Sequence, residues 1–315
     1  MIKMSYFCSV TSIYREFFME EQKKSQTKTL RLIHPQWHGG ITDNWMPANL
    51  EGGKFEGYHS ASVLLKAMMP QDKSSSETVS IPLSREIGSG VGGQNDYDDM
   101  LKQTRVVSDI ILSHAPEKIV TLAGDSSATV IPLGYLNGYY MKDICVIWID
   151  ANPDINVPYT MALMAWLGKL SEDFKRLWPT MVPSSRLLIV GYRAWNQSLK
   201  EWQDDLGMKG ISPVQAANDS SVILDWIRQT GKNKVFVHLD LSVLDPFELF
   251  TSQSRERQGM KMAEAVRVVN DIAETFDLVG ITVVEPTPRL VKKVRGMLSQ
   301  LPLFGDADSQ KDETV

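Results

Sequence analysis

The chain is poor in several residue types at once. Its 315 residues include 2 cysteines and 5 histidines. Two cysteines cannot build a disulfide framework. Cys8 and Cys145 also stand far apart, and Cys145 sits inside the apolar run 144–149, where a buried reduced thiol is expected. No stretch reaches the roughly 20 consecutive apolar residues that span a bilayer, and Ser5, Ser9, Thr11 and Ser12 interrupt the first residues. The sequence therefore reads as cytoplasmic, with no membrane partner. Excess positive charge is missing too: 33 basic against 38 acidic side chains leave a net charge of −5, and no long Lys or Arg run offers a footprint for nucleic acid. Repeats and heptads are absent. What remains, 43% hydrophobic and 23% charged, is the composition of a globular chain with ample core.

The apolar residues fall into short runs separated by longer segments of helical period, the pattern of βαβ units around a parallel sheet. Strands are predicted at 30–34, 79–83, 119–123, 144–150, 187–190, 209–212, 235–240 and 279–284. Helices are predicted at 58–69, 96–114, 129–140, 161–170, 221–230, 262–276 and 290–301. In the segment 221–230 the spacing puts Val222, Ile223, Trp226 and Ile227 on one face, and Gly231 follows as a C-terminal cap. Residues 1–28 read as an extension, 29–303 as one α/β domain, and 304–315 as an acidic tail.

In an open α/β sheet the ligand crevice lies beyond the carboxyl ends of the strands. Acids gather there. Asp125 follows the run Val120-Thr-Leu-Ala-Gly, and Asp150-Ala-Asn-Pro-Asp154 follows Val146-Ile-Trp-Ile. Asp240-Leu-Ser-Val-Leu-Asp245-Pro closes Val235-Phe-Val-His-Leu, and Glu285 closes Gly280-Ile-Thr-Val-Val. Each Asp alone reads as a cap for the turn that follows. Four strand ends repeating the pattern point to a cation, because carboxylates crowded in one crevice raise one another's pKa unless something compensates.

Leu122-Ala-Gly-Asp-Ser-Ser, Asp150-Ala-Asn-Pro-Asp and His238-Leu-Asp-Leu-Ser-Val-Leu-Asp-Pro resemble, in order and spacing, the three signature motifs of the arginase, agmatinase and formiminoglutamase family, the ureohydrolases. Those motifs read Gly-Gly-Asp-His-Ser, Asp-Ala-His-x-Asp and Ser-x-Asp-x-Asp-x-x-Asp-Pro. The resemblance implies a three-layer α/β/α fold, a binuclear manganese site and hydrolysis of a carbon–nitrogen bond in a linear amidine. It also implies a homo-oligomer, and it casts Glu285 as the late glutamate that meets the substrate's guanidinium or amidine.

Three of the six ligand positions implied by the resemblance are altered. Ser126 stands for the first-motif histidine, Asn152 for the second-motif histidine, and Ser242 for the second aspartate of the third motif, while Asp150, Asp154 and Asp240 remain. One metal position thus keeps Asp150, Asp154 and Asp240. The other loses its own donors and is expected to be vacant. An all-oxygen set with three carboxylates suits one manganese or magnesium ion. Asp150, Asp240 and Glu285 are the catalytic candidates, and Asp125, His238 and Tyr159 are the candidate pocket residues for a small guanidino or amidino molecule. With one cation fewer, a bridging water keeps a higher pKa, so family hydrolysis is expected to be impaired. The alternative is a non-catalytic protein that binds a small cationic ligand or acts through oligomerisation.

Two further segments admit more than one reading. Gly88-Ser-Gly-Val-Gly-Gly93 could cradle a phosphate, although it leads into no helix directly, and otherwise reads as a rim loop. His34-Pro-Gln-Trp-His-Gly-Gly40 either lines the pocket or shapes a turn.

Overall fold

A computed structural model describes residues 28–35, 62–71, 76–82, 94–152, 182–193, 204, 207–249, 257–286 and 290–305, with the backbone alone for 94–100. Eight strands form one parallel sheet in the order β2-β1-β3-β8-β7-β4-β5-β6. They are β1 (Thr29–His34), β2 (Glu77–Ser80), β3 (Lys118–Ala123), β4 (Ile144–Ile149), β5 (Leu187–Val190), β6 (Lys209–Ile211), β7 (Lys234–Asp240) and β8 (Asp277–Val284). The helices are α1 (Gln94–His114), α2 (Val130–Tyr139), α3 (Pro213–Asn218), α4 (Ser221–Thr230), α5 (Met262–Thr275) and α6 (Val291–Leu298), and residues 62–68 are also helical.

Side-chain alternation along each strand divides the core into two layers. Cys145, Ile147 and Ile149 of β4 and Val235, Val237 and Leu239 of β7 join α4, α5 and α6 on one face. Ile144, Val146 and Trp148 of β4 and Phe236 of β7 join α1 and α2 on the other. With helices on both faces, the interior strands are continuously apolar, and β4 is buried at every position. The architecture is the three-layer α/β/α sandwich that the sequence predicts. Burial pushes the Cys145 thiol pKa up to about 12, in keeping with an inert, reduced core thiol.

Some boundaries differ from the expectation. β2 covers 77–80 rather than 79–83: its ladder against β1 starts at Glu77, and Pro82, lacking an N–H, cannot prolong it. Val222 is exposed, and only Ile223, Trp226 and Ile227 of the predicted α4 face are buried. α3 was not anticipated, although Ser212, Pro213 and Gln215 form a capping box with proline in the first turn. The predicted helix 161–170 and the glycine-rich segment 88–93 lie outside the described residues, as does most of 34–40.

Two contacts fix the sheet from below and behind. Arg31, 1% exposed, donates to the carbonyls of Pro70 and Phe304, tying the first strand to the segments that follow helix 62–68 and α6. Gly280 lies where a Cβ would sit 2.6 Å from the Phe236 ring, at the register shift between β7 and β8, so only glycine lets that phenylalanine fill the core. Among the described residues, no helix is long and apolar enough to cross a membrane.

At the amino end of the sheet, Asp277 of β8 accepts from Lys118 of β3 at 2.9 Å and from Lys234 of β7 at 2.5 Å. Burial opposes its charge, but the two ammonium groups outweigh that and hold its carboxyl below the ordinary value of 3.8. A depressed carboxylate pKa stabilises the folded state above the unfolded value and loses that contribution as pH falls through the folded one. Asp277→Asn is expected to lower stability by about 1 kcal/mol at neutral pH and by nothing near about pH 2, as read from urea midpoints across that range.

Candidate functional site

The four central strands, in spatial order β3, β8, β7 and β4, end in Asp125, Glu285, Asp240 and Asp150. The acids that the sequence scatters over 160 positions therefore line one edge of the sheet, side by side. Parity sends His238 and Asp240 of β7 toward the α1–α2 face, together with Trp148 of β4. Ser126 and Thr129 come to the same place on the single 3-10 turn that links β3 to α2.

Three of these aspartates end their strands in the same way. Asp125 Oδ1 accepts from the backbone N–H of Ser127 at 2.9 Å, Asp150 Oδ1 from Asn152 at 2.8 Å, and Asp240 Oδ1 from Ser242 at 2.7 Å. Each is an Asx turn, in which a side-chain oxygen replaces the next rung of the ladder. Asp245 goes further, gathering the N–H groups of Phe247, Gln258 and Gly259, and these hydrogen bonds hold its carboxyl below the usual range. The last Asp-Pro of the third motif is thereby a staple between two loop segments.

Asp150, His238 and Asp240 each offer one ligand atom, and these three atoms all lie within 4.8 Å of one another. The three side chains are 2%, 0% and 4% exposed. Trp148 organises two of them: its ring stacks on His238 at 3.7 Å between centroids, and its Nε1 donates to Asp150 Oδ2 at 3.1 Å. Burial pushes the Asp150 carboxyl up to about 6, against hydrogen bonds from Asn152, Trp148 and Ser242 and the nearby Arg193 charge. Burial alone pushes the His238 imidazole down to about 3, so it is neutral at pH 7. Its Nδ1 lies 2.7 Å from Thr129 Oγ1, and its Nε2 lies 3.4 Å from Ser126 Oγ.

The remaining candidates divide clearly. Ser242 Oγ donates to Asp150 Oδ1 at 3.4 Å, whereas Asn152 is exposed and contributes its backbone N–H. Asp154 and Tyr159 lie outside the described residues. Glu285 is half-buried with a left-handed φ of +57°, and its N–H donates to the Gly124 carbonyl at 3.3 Å, joining the ends of β8 and β3. A non-glycine residue in that region is strained, and such strain collects at working sites. His34 at the end of β1 is buried at 3% exposure.

Sequence reasoning missed Arg193. Its guanidinium donates to the carbonyls of Ser242 and Val243, each at 2.7 Å, and its backbone N–H donates to Ala151. The turn 241–243 is thus clamped by a cation from the loop after β5. Gly191 and Gly259 make room for the clamp, since a Cβ on either would collide with Val243 and with Arg193 respectively. An arginine three residues beyond the end of a strand flanking the acidic ones was the available signal. Trp148 was hidden within its strand.

A first-row divalent ion binds oxygen and nitrogen at about 2.0–2.2 Å, so ligand atoms on opposite sides of it are about 4.0–4.4 Å apart. The Asp150, His238 and Asp240 donors, within 4.8 Å of one another, would converge on one such ion with a small adjustment. Asn152 and Ser242 carry no charge, and the Ser242 hydroxyl is turned to Asp150.

The fold has close counterparts among solved structures. An Entamoeba histolytica arginase crystallised with L-ornithine superposes with a TM-score of 0.67 at 17% identity, over 90% of this chain and 99% of that one. A Bacillus subtilis formimidoylglutamase gives 0.63 at 13% identity, over 88% and 86%. These neighbours define the class, a ureohydrolase-type α/β/α sandwich. In sequence, the arginase of Glaciozyma antarctica is 27% identical over 220 residues, and that of Eremothecium gossypii is 27% identical over 207. The matches take in 60% and 59% of this chain but only 63% and 51% of those proteins. The profile described as the Arginase family matches residues 67–297, more than two thirds of the sequence. The chain belongs to the arginase family.

Arg193→Met keeps the length of the side chain but leaves the Ser242 and Val243 carbonyls without these donors. It is expected to cost about 3–6 kcal/mol of stability in chemical denaturation, the range for two lost hydrogen bonds from a charged group.

Proposed function

We propose that the chain is a ureohydrolase-type protein holding one divalent cation and acting weakly on a small guanidino or amidino compound. The observation that carries this reading is the convergence of Asp150 and Asp240 on adjacent strands, with neutral Asn152 and Ser242 where the resemblance would put a second ion's donors. Asp150 and Asp240 would hold the ion, joined by Asp154 from the segment that follows. When bound, the ion would supply Lewis acidity and lower the pKa of a coordinated water.

The protein's own groups then have distinct tasks. Glu285, at the end of β8, would pair with the cationic end of the substrate, where a carboxylate and a guanidinium can make two parallel hydrogen bonds. Asp125 would shape the neighbouring wall, since Ser127 fixes its carboxylate through both backbone and hydroxyl. Tyr159 and His238 would complete the pocket. The unit that carries this chemistry is 29–303.

A second reading has its own support. The indole of Trp148, the hydroxyl of Ser242 and the N–H of Asn152 all donate to Asp150, so neutral donors already do part of a metal's work. A non-catalytic protein that binds a small cation would look the same here.

Urea release from arginine and agmatine, and formamide release from formiminoglutamate, separate the two. The expected result is slow turnover that Glu285→Gln abolishes, and a gain of at least about tenfold when Ser126→His, Asn152→His, His238→Ser and Ser242→Asp are combined. No turnover in either protein would favour the non-catalytic reading.

A further inference from the structure

In the resemblance to the family motifs, two departures are reciprocal. The first motif carries histidine where this chain has Ser126, and the third motif opens with serine where this chain has His238. The two positions are 112 residues apart, yet Ser126 Oγ and His238 Nε2 face each other at 3.4 Å. Exchanging a large and a small side chain across one contact conserves volume, so the buried corner stays filled. Relative to those motifs, the imidazole stands on the strand side of this contact and the hydroxyl on the 3-10 turn.

Its new place is not that of a surface histidine. His238 is fully buried on β7, two residues before Asp240, and by strand parity it projects to the same face as Asp240. The strand register sets it between Trp148 of β4 and Thr282 of β8. Trp148 stacks on the ring and fixes its plane, while Thr129 Oγ1 engages Nδ1 at 2.7 Å. Metal-binding imidazoles are characteristically held this way, with one nitrogen anchored to a neighbouring oxygen and the other turned to the ion. The nitrogen left over from the Thr129 contact is Nε2, and one ring nitrogen of His238 lies in a set within 4.8 Å with a carboxylate oxygen from each of Asp150 and Asp240.

We propose that His238 is a relocated metal ligand: its Nε2, with Asp150 and Asp240, holds one divalent cation in a mixed nitrogen and oxygen site. The assignment rests on the one-cation reading given above and goes beyond it by adding a nitrogen donor to the carboxylates. It changes the expected ion. Carboxylates without nitrogen suit Mg²⁺, Ca²⁺ or Mn²⁺, whereas an added imidazole shifts the preference toward Co²⁺ or Zn²⁺. Ser126 then acts as a small neighbour that leaves room for the ring, and Trp148 and Thr129 act as positioning residues.

The test is calorimetric titration of the metal-free full chain with Co²⁺ and, separately, Mg²⁺, with the visible spectrum of bound Co²⁺ recorded alongside. The proposal expects Co²⁺ to bind more tightly than Mg²⁺. It expects His238→Ser to weaken Co²⁺ by at least about tenfold while changing Mg²⁺ little, and to alter the Co²⁺ spectrum. Adding Ser126→His to His238→Ser should restore Co²⁺ affinity by returning an imidazole to the corner. An unchanged preference for Co²⁺ in His238→Ser overturns the histidine assignment and leaves the one-cation reading standing. Absence of binding by both ions to the unaltered chain overturns both. Should the variants not fold, imidazole nitrogen coupling to Mn²⁺ bound to the unaltered chain decides the matter: its presence supports the assignment and its absence overturns it.

Discussion

Two carboxylates buried at the ends of adjacent strands must be compensated, and much of the surrounding structure follows from that need. Asp150 and Asp240 are 2% and 4% exposed. Their charge is cut off from water, and each would raise the other's pKa without help. The chain meets this locally first: the N–H groups of Asn152 and Ser242 turn back onto the carboxylates that precede them, so the residue that ends the strand also starts to neutralise it. Trp148 adds an indole N–H from within β4, and Arg193 adds a positive charge from the loop after β5. A cation between the two carboxylates would complete the set.

The same constraint explains why ordinary loop features and functional ones coincide here. An Asx turn at a strand end is a structural device, and a carboxylate at the mouth of a parallel sheet is a functional one. In Asp150 and Asp240 one oxygen serves the turn while the carboxyl group as a whole stays in the buried cluster. Asp245 shows the other outcome, with its oxygens given over to three backbone N–H groups that join two loop segments. The choice between capping and chemistry, which looks exclusive residue by residue in a sequence, is not exclusive in the fold.

The sheet was legible because buried parallel strands are written as unbroken apolar runs, and all eight lie within a few residues of where those runs fall. The acidic edge was legible because strand ends and their following acids are adjacent in sequence. Departures came where the deciding contact was not local. The start of β2 is set by pairing with β1, and Val222 faces solvent because the packing of α4 against the sheet turns it away. The role of His238 depends on Ser126 and Thr129, 112 and 109 residues earlier, and on Trp148 in the neighbouring strand. Arg193 reaches the site by the same kind of long-range closure. No periodicity or spacing rule encodes such contacts.

The central claim is a single cation held between the ends of β4 and β7 in an arginase-family fold. Crystals of the full chain equilibrated with Mn²⁺ and measured at an energy where manganese scatters anomalously address it directly. The account predicts one anomalous peak, in contact with Asp150 and Asp240. Two peaks at the roughly 3.5–4 Å separation of a binuclear centre would contradict it, as would none.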